Sequence, residues 1–272
     1  MIYCDMHTHS DNSFDAKNSV DEMCRAAIDR GLSVIAVTDH CEAPFIRFGA
    51  DCEFGCFDEL IPKSFSDASA AREKYSGQLR VIRGLELGEP VHDLAATEHA
   101  LGYADFDFVL ASVHNLKNMQ DFYYMNYSGV DIDRLLKLYF TELCETAAFP
   151  HFDSLAHLTY PLRYIVAGTG VMPDLEKYSD LTDEIFKILI KNKKALEINV
   201  SGLFKELKTT LPDEALVRRF KELGGEYITI GTDAHSADMV GKGIEQGIEV
   251  AKKAGFDSCV IFDKHKPELI RF

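Results

Sequence analysis

The sequence predicts an α/β protein, a distorted (β/α) barrel with a metal site at the carboxyl ends of its strands. Short apolar runs alternate with helix-like stretches along the whole chain, and six of its ten histidines fall where those runs end. No Pro- or Ser-rich linker and no internal repeat divides the 272 residues. Alternating strand and helix is the pattern of a parallel sheet with helical crossovers. An open doubly wound sheet also gathers ligands at strand ends, but groups drawn from nearly every strand meet more easily at the closed mouth of a barrel. One domain spanning residues 1–272 is expected.

The candidate strands are 2–7, 33–38, 80–86, 107–113, 154–157, 195–199 and 227–232, with a shorter run at 259–262. Each is short enough for a buried strand rather than a helix. Between the first two lies a helix marked at both ends. Ser19 is its N-cap, Glu22 completes an S-x-x-E capping box, Met23, Ala27 and Ile28 form its apolar face, and Gly31 stops it. Amphipathic patterns predict further helices at 132–147, 181–193 and 213–223; the last puts Leu216, Phe220 and Leu223 on one face and ends at Gly224-Gly225. The glycines of VGKGIEQG at 240–247 lack the G-x-G-x-x-G spacing and do not follow the first strand, so they are expected to open a helix rather than hold a nucleotide.

Composition narrows the class of protein. A formal charge of −15 disfavours a nucleic-acid partner, because such binding is driven by clustered Lys and Arg. No apolar stretch approaches the length of a membrane helix, and no basic-then-apolar leader precedes the first strand at Ile2, so a cytoplasmic enzyme without a membrane partner is expected. Seven cysteines without a repeating spacing argue against a disulfide scaffold. Cys52 and Cys56 have no second cysteine pair with which to build a zinc knuckle.

The chemistry is carried by the strand ends. Side chains of a strand alternate faces, so His7 and His9 in CDMHTHS project together, and Asp233 and His235 in TDAH repeat the arrangement near the other end of the chain. His40 in VTDH, His114 in ASVHN and His157 in LAHL stand at the ends of three more strands. Imidazole suits zinc, iron or manganese, and carboxylates bridge two cations, so this mixture points to hydrolytic metals rather than a thiolate-bound structural zinc. His92, His99, His151 and His265 do not end strands and are expected on the surface or on helix faces.

Six ordered motifs, H-T-H at 7–9, T-D-H at 38–40, G-L-E at 84–86, S-V-H-N at 112–115, A-H-L at 156–158 and T-D-A-H at 232–235, resemble those of the PHP (polymerase and histidinol phosphatase) metal-dependent hydrolases. Within that family the chain resembles the monofunctional histidinol-phosphatases, from residue 2 to residue 262. The resemblance implies a seven-stranded barrel, which leaves the run at 259–262 outside the barrel or loosely completing it. It also implies three divalent metal ions (Zn, Fe or Mn). His7, His9, Glu86 and Asp233 would hold the first; Glu86, as a bridge, with His114 and His157 the second; Asp15, His40 and His235 the third. Many members have histidine where this chain has Asp15, and Asp11 is the competing ligand.

A phosphate monoester resists hydrolysis because water is a poor nucleophile and the dianion repels hydroxide. Adjacent cations answer both obstacles, so the expected reaction is attack by a metal-bridged hydroxide, with Asp233 or His235 protonating the leaving alkoxide. Arg163, in HLTYPLRY, would fork to the phosphate, with a surface ion pair as the alternative; Arg47 is a second candidate. The substrate expected is a small phosphate ester, L-histidinol phosphate. Another small ester, a nucleotide or aryl phosphate, and a non-catalytic regulatory domain are the alternatives. Glu42, Glu89 and the aromatic run 122–127, either core or lid, are the candidate contacts for the organic part, and the 41–78 segment is a second candidate lid.

Overall fold

The computed structural model describes residues 3–43 and 57–272; Arg47, Cys52, Cys56 and part of the candidate lid at 41–78 lie outside the described residues. The strands are β1 (Cys4–Thr8), β2 (Val34–Val37), β3 (His40–Glu42), β4 (Arg80–Gly88), β5 (Phe108–Ser112), β6 (Ser154–Leu155), β7 (Ala195–Asn199) and β8 (Ile228–Gly231). They pair in parallel in the order β1-β2-β4-β5-β6-β7-β8, with β3 also on β4. β2 and β3 are two halves of one interrupted strand, paired to Arg80–Arg83 and to Glu86–Gly88 of β4. The interruption is organised by Asp39, whose buried carboxylate accepts from Ser10 N (2.5 Å) and from the hydroxyls of Ser10, Ser13 and Ser64 (2.7, 2.7 and 2.5 Å). β8 returns to β1 through Asp233 N to His7 O (2.8 Å) and His9 N to Ala234 O (2.9 Å), nearly closing a distorted (β/α)7 barrel.

The crossovers are α1 (Val20–Asp29), α2 (Phe57–Lys74), α3 (Leu94–Leu101), α4 (Ile132–Ala148), α5 (Leu162–Thr169), α6 (Ser179–Lys191), α7 (Glu214–Glu222) and α8 (Ile244–Lys253). The reciprocal box of α1 forms as the sequence indicates, Ser19 accepting from Glu22 N and Glu22 from Ser19 N. Gly31 follows in the left-handed region that ends such a helix. Three helices have no sequence forecast: α3 and α5 span eight residues each, barely two turns of periodicity, and α2 carries Pro62 inside it.

The run at 259–262 lies outside the barrel. It is the centre of β9 (Ser258–Asp263), which pairs antiparallel with β10 (Lys266–Arg271) across a turn at Lys264 and His265, both with positive φ. β9 is buried against the amino-terminal floor, where Phe262 stacks on Phe108 at 5.5 Å and His265 N donates to Asp107 O at 2.9 Å. Among the described cysteines, Cys4, Cys24, Cys41 and Cys259 are free and buried and Cys144 is free and half-buried.

Candidate metal centre

The carboxyl ends of the strands bring the predicted ligands into three adjoining groups around Glu86. His7 Nε2 and His9 Nε2 stand 3.4 and 3.5 Å from Glu86 Oε2, and 3.8 and 3.4 Å from Asp233 Oδ1. On the other oxygen, His157 Nε2 and His114 Nε2 lie 3.0 and 3.3 Å from Glu86 Oε1 and 3.4 Å from each other. The third group faces the mouth: His40 Nε2 is 3.4 Å from His235 Nε2, and Asp15 reaches both, at 3.7 and 3.1 Å. Asp15 and the competing Asp11 are both exposed; Asp11 bonds through its backbone N–H to Asn18 O, whereas Asp15 faces both imidazoles.

These separations suit cations. Four donors about 2.1 Å from a tetrahedral ion stand about 3.4 Å apart. His7 Nε2, His9 Nε2 and Glu86 Oε2 converge on one point, fully buried and without a hydrogen-bond partner, with His40 Nδ1 2.9 Å from the same Glu86 oxygen. A buried polar atom left unpaired costs stability unless a ligand satisfies it. The electrostatics ask for positive charge at the same place. Burial alone would discharge the carboxylates, yet His7, His114 and His40 hold Glu86, and His7 with Arg163 holds Asp233, well below the ordinary carboxylate range. Burial, with His40 and His235 beside it, lowers His9 to about 3, and burial lowers His157, so both imidazoles are neutral and free to ligate.

Two buried carboxylates complete the centre. Glu42 Oε1 lies 3.2 Å from Nδ1 of both His40 and His114, in space left by the missing side chain of Gly88. Glu197 Oε1 lies 2.7 Å from His7 Nδ1, and its Oε2 accepts from His157 N at 2.7 Å. Sequence pattern gave Glu197 no distinction, although an acidic residue in the middle of the short buried strand ALEIN was the available signal. Glu42 and Glu89 both turn inward. Glu89, with φ at +49°, accepts from the backbone N–H groups of His114 and Asn115 at 2.6 and 3.4 Å.

Arg163 is neither a free fork nor a surface ion pair. Its side chain is 11% exposed, and Nη2 donates to Asp233 Oδ2 at 2.9 Å and to Ser201 Oγ at 2.5 Å while the guanidinium lies over Tyr160 and Tyr164. The aromatic run divides: Phe122 is core, whereas Tyr123 and Tyr124 are exposed. Tyr160 packs against both His114 and His157 at 4.9 Å, and its hydroxyl donates to Asp121 at 3.3 Å. Of the histidines away from strand ends, His92 departs from expectation, being buried against Glu142 at 2.5 Å.

A near-closed barrel with bridged histidine and carboxylate groups at its strand ends is the framework of a multinuclear metal-dependent hydrolase. The PHP domain model matches residues 5–201, and the chain belongs to that family. It is 30% identical over 261 residues to a probable histidinol-phosphatase of Thermotoga maritima, covering 96% of each chain. It is 29% identical over 274 residues to a histidinol-phosphatase of Lactococcus lactis, covering 97% of this chain and 98% of the relative. The crystal structure of histidinol phosphate phosphatase from Lactococcus lactis, complexed with zinc, L-histidinol and phosphate, superposes with a TM-score of 0.83 at 26% identity over 98% of each chain.

Proposed function

We propose that this chain hydrolyses L-histidinol phosphate to L-histidinol and inorganic phosphate, as a cytoplasmic enzyme of histidine biosynthesis. The observation that carries the reading is the likeness, over nearly the whole length, to a phosphatase whose structure contains zinc, L-histidinol and phosphate, joined to overlapping groups of His, Asp and Glu here that could hold metal ions. Among the described residues no helix is long and apolar enough to cross a membrane.

When bound, the cations supply charge that acidifies a water and neutralises the phosphoryl oxygens. The residues do the rest. His7, His9, Glu86 and Asp233 would hold the first cation, Glu86, His114 and His157 the second, and Asp15, His40 and His235 the third. Arg163, already charged and aimed at Asp233, presents its remaining N–H groups to the phosphate. Tyr123, Tyr160 and Tyr164 form an aromatic wall beside His114 for an imidazole, with the Asp121 carboxylate at its edge for an ammonium.

Hydrolysis makes one bond from water oxygen to phosphorus, breaks the ester P–O bond, and leaves the alkoxide in need of a proton. Asp233 or His235 would supply that proton; His7 and Arg163 beside Asp233 favour its anionic form, as a ligand needs. His235 Nδ1 donates to the Asp233 carbonyl at 2.9 Å, which leaves Nε2 as its working atom. That atom cannot ligate and donate at once, so occupancy of the third site decides which role His235 plays.

The test is steady-state phosphate release from L-histidinol phosphate, nucleotides and aryl phosphates, using metal-reconstituted protein and a His157→Ala control. A large kcat/KM preference for L-histidinol phosphate, lost in the control, is expected. Preference for another ester overturns the substrate, and bound metal with no hydrolysis of any ester overturns the enzyme. Single turnover in labelled water should place the label in the phosphate.

A further inference from the structure

Strand β7 and the turn after it present Glu197, Asn199 and Ser201 at alternate positions, all buried, and none belongs to the three ligand groups. Their polar atoms form one line. Arg163 Nη2 donates to Ser201 Oγ at 2.5 Å, Ser201 Oγ donates to Asn199 Oδ1 at 2.5 Å, and Asn199 Nδ2 donates to Glu197 Oε2 at 3.2 Å. The same carboxylate receives His157 N at 2.7 Å and faces His7 Nδ1 at 2.7 Å.

The chemistry of the two ends fixes the direction of every bond between them. A guanidinium only donates and a carboxylate only accepts. Ser201 therefore accepts from Arg163 and gives its own hydrogen to Asn199, whose amide nitrogen must then face Glu197. With His157 and Asn199 both donating to it, Glu197 is an acceptor, and His7 carries its hydrogen at Nδ1. The His7 lone pair is then on Nε2, the unpartnered atom 3.4 Å from Glu86 and 3.8 Å from Asp233. The line closes on itself, because Arg163 also bonds Asp233, a ligand of the same group. Room for it depends on Gly231 of β8, where a Cβ would overlap both the His7 Cβ and Glu197 Oε1.

We propose that Glu197, Asn199 and Ser201 form a positioning relay that sets the tautomer of His7 at one end and the aim of Arg163 at the other. It rests on the reading of the centre as a metal-dependent phosphatase site. One strand thus ties the holding of metal to the holding of phosphate, through residues that touch neither. Outer partners of this kind change metal affinity by about 10- to 100-fold when removed.

Two variants separate the ends, each checked for native melting. Glu197→Gln should release metal to a chelator at least about tenfold faster than the parent protein. The tautomer is read in metal-free protein carrying nitrogen-labelled histidine, at a pH high enough to leave His7 neutral, since its carboxylate neighbours raise it well above the ordinary imidazole value. There the His7 resonances, assigned by their loss in His7→Asn, should show hydrogen on Nδ1 in the parent and on Nε2 in Glu197→Gln. Ser201→Ala should release metal at the parental rate but raise KM for the phosphate ester severalfold with kcat nearly unchanged. Parental chelator release in folded Glu197→Gln, hydrogen on His7 Nε2 in the parent, or an unaltered KM in Ser201→Ala overturns the relay. A parent that retains no metal or hydrolyses no ester overturns the function proposed above instead, and the imidazole resonances of the metal-free protein still decide the relay.

Discussion

The two faces of the barrel are both crowded with charge, and they differ in whether that charge is satisfied. On the floor, Asp107 is enclosed by Arg83 at 2.8 and 2.9 Å and Arg72 at 2.7 Å. Asp263 receives Arg72 and Arg80, Glu268 receives Arg80, and Asp153 receives His265. At the mouth, imidazoles face carboxylates at 2.7–3.8 Å, and His7 Nε2, His9 Nε2 and Glu86 Oε2 have no hydrogen-bond partner. Complete pairing belongs to structure, and a convergent set of unpaired donors to a ligand not yet supplied. The same division places barrel chemistry at the carboxyl ends of strands and stability at the amino ends.

The contrast breaks hardest at Glu86, whose two carboxylate oxygens face the first and second groups. Glu86→Ala should lower kcat/KM by about a thousandfold or more, the effect of several kcal/mol of lost charge stabilisation, measured as phosphate release under saturating metal. Its melting in metal-free form should change far less than its activity. The floor counterpart is Asp107→Ala, which leaves Arg83 and Arg72 without their shared carboxylate. Breaking a buried pair from one side costs about 3 kcal/mol, so denaturant unfolding should shift by that order while kcat/KM of the folded fraction stays parental. If Asp107→Ala disabled catalysis as Glu86→Ala does, the two faces would not be separable.

Arg163 tests the boundary between them, because it is paired like a floor residue yet sits at the mouth. Arg163→Lys keeps the charge but loses the planar fork, and KM for the ester should rise about tenfold, the scale of one charge-assisted hydrogen bond. An unchanged KM with lowered stability would return Arg163 to a purely structural role.

What the sequence revealed follows the same division. The six strand-end histidines and Asp233 were legible because a chemically distinctive residue at a strand terminus needs only period-two geometry to be placed, whereas Glu86 was named only through the family resemblance. Asp15 was named only through the resemblance, beside Asp11, since a loop has no period to say which of the two stands near His40 and His235. Glu42 and Glu197 were opaque in role: a buried carboxylate is explained by what it touches, and its partners, His40 with His114 and His7 with His157, come from other strands. The terminal hairpin was half legible. β9 is an apolar run, but in β10 only Ile270 is buried, and Pro267 argues against a strand unless that strand is an edge.

The smallest effect is expected at His265, where the hairpin turn is pinned to the floor. The hydrogen bond to Asp153 raises the His265 imidazole above its ordinary value, against burial and with Lys194 opposing and Asp107 assisting. A raised folded value means that the pin contributes fully below the unfolded value, about pH 6.5, and is lost as pH rises through the folded one. His265→Asn is the suitable probe, because asparagine tolerates the left-handed backbone that His265 occupies at φ +59°. The side chain is 54% exposed, so solvent screening keeps the contribution under about 1 kcal/mol. The melting difference between parent and variant should therefore be small but present at about pH 5.5 and absent by about pH 9. At every pH the two proteins should share one kcat/KM. A pH-independent melting difference would make the contact an ordinary hydrogen bond, and a matching change in catalysis would show that the floor and the mouth communicate.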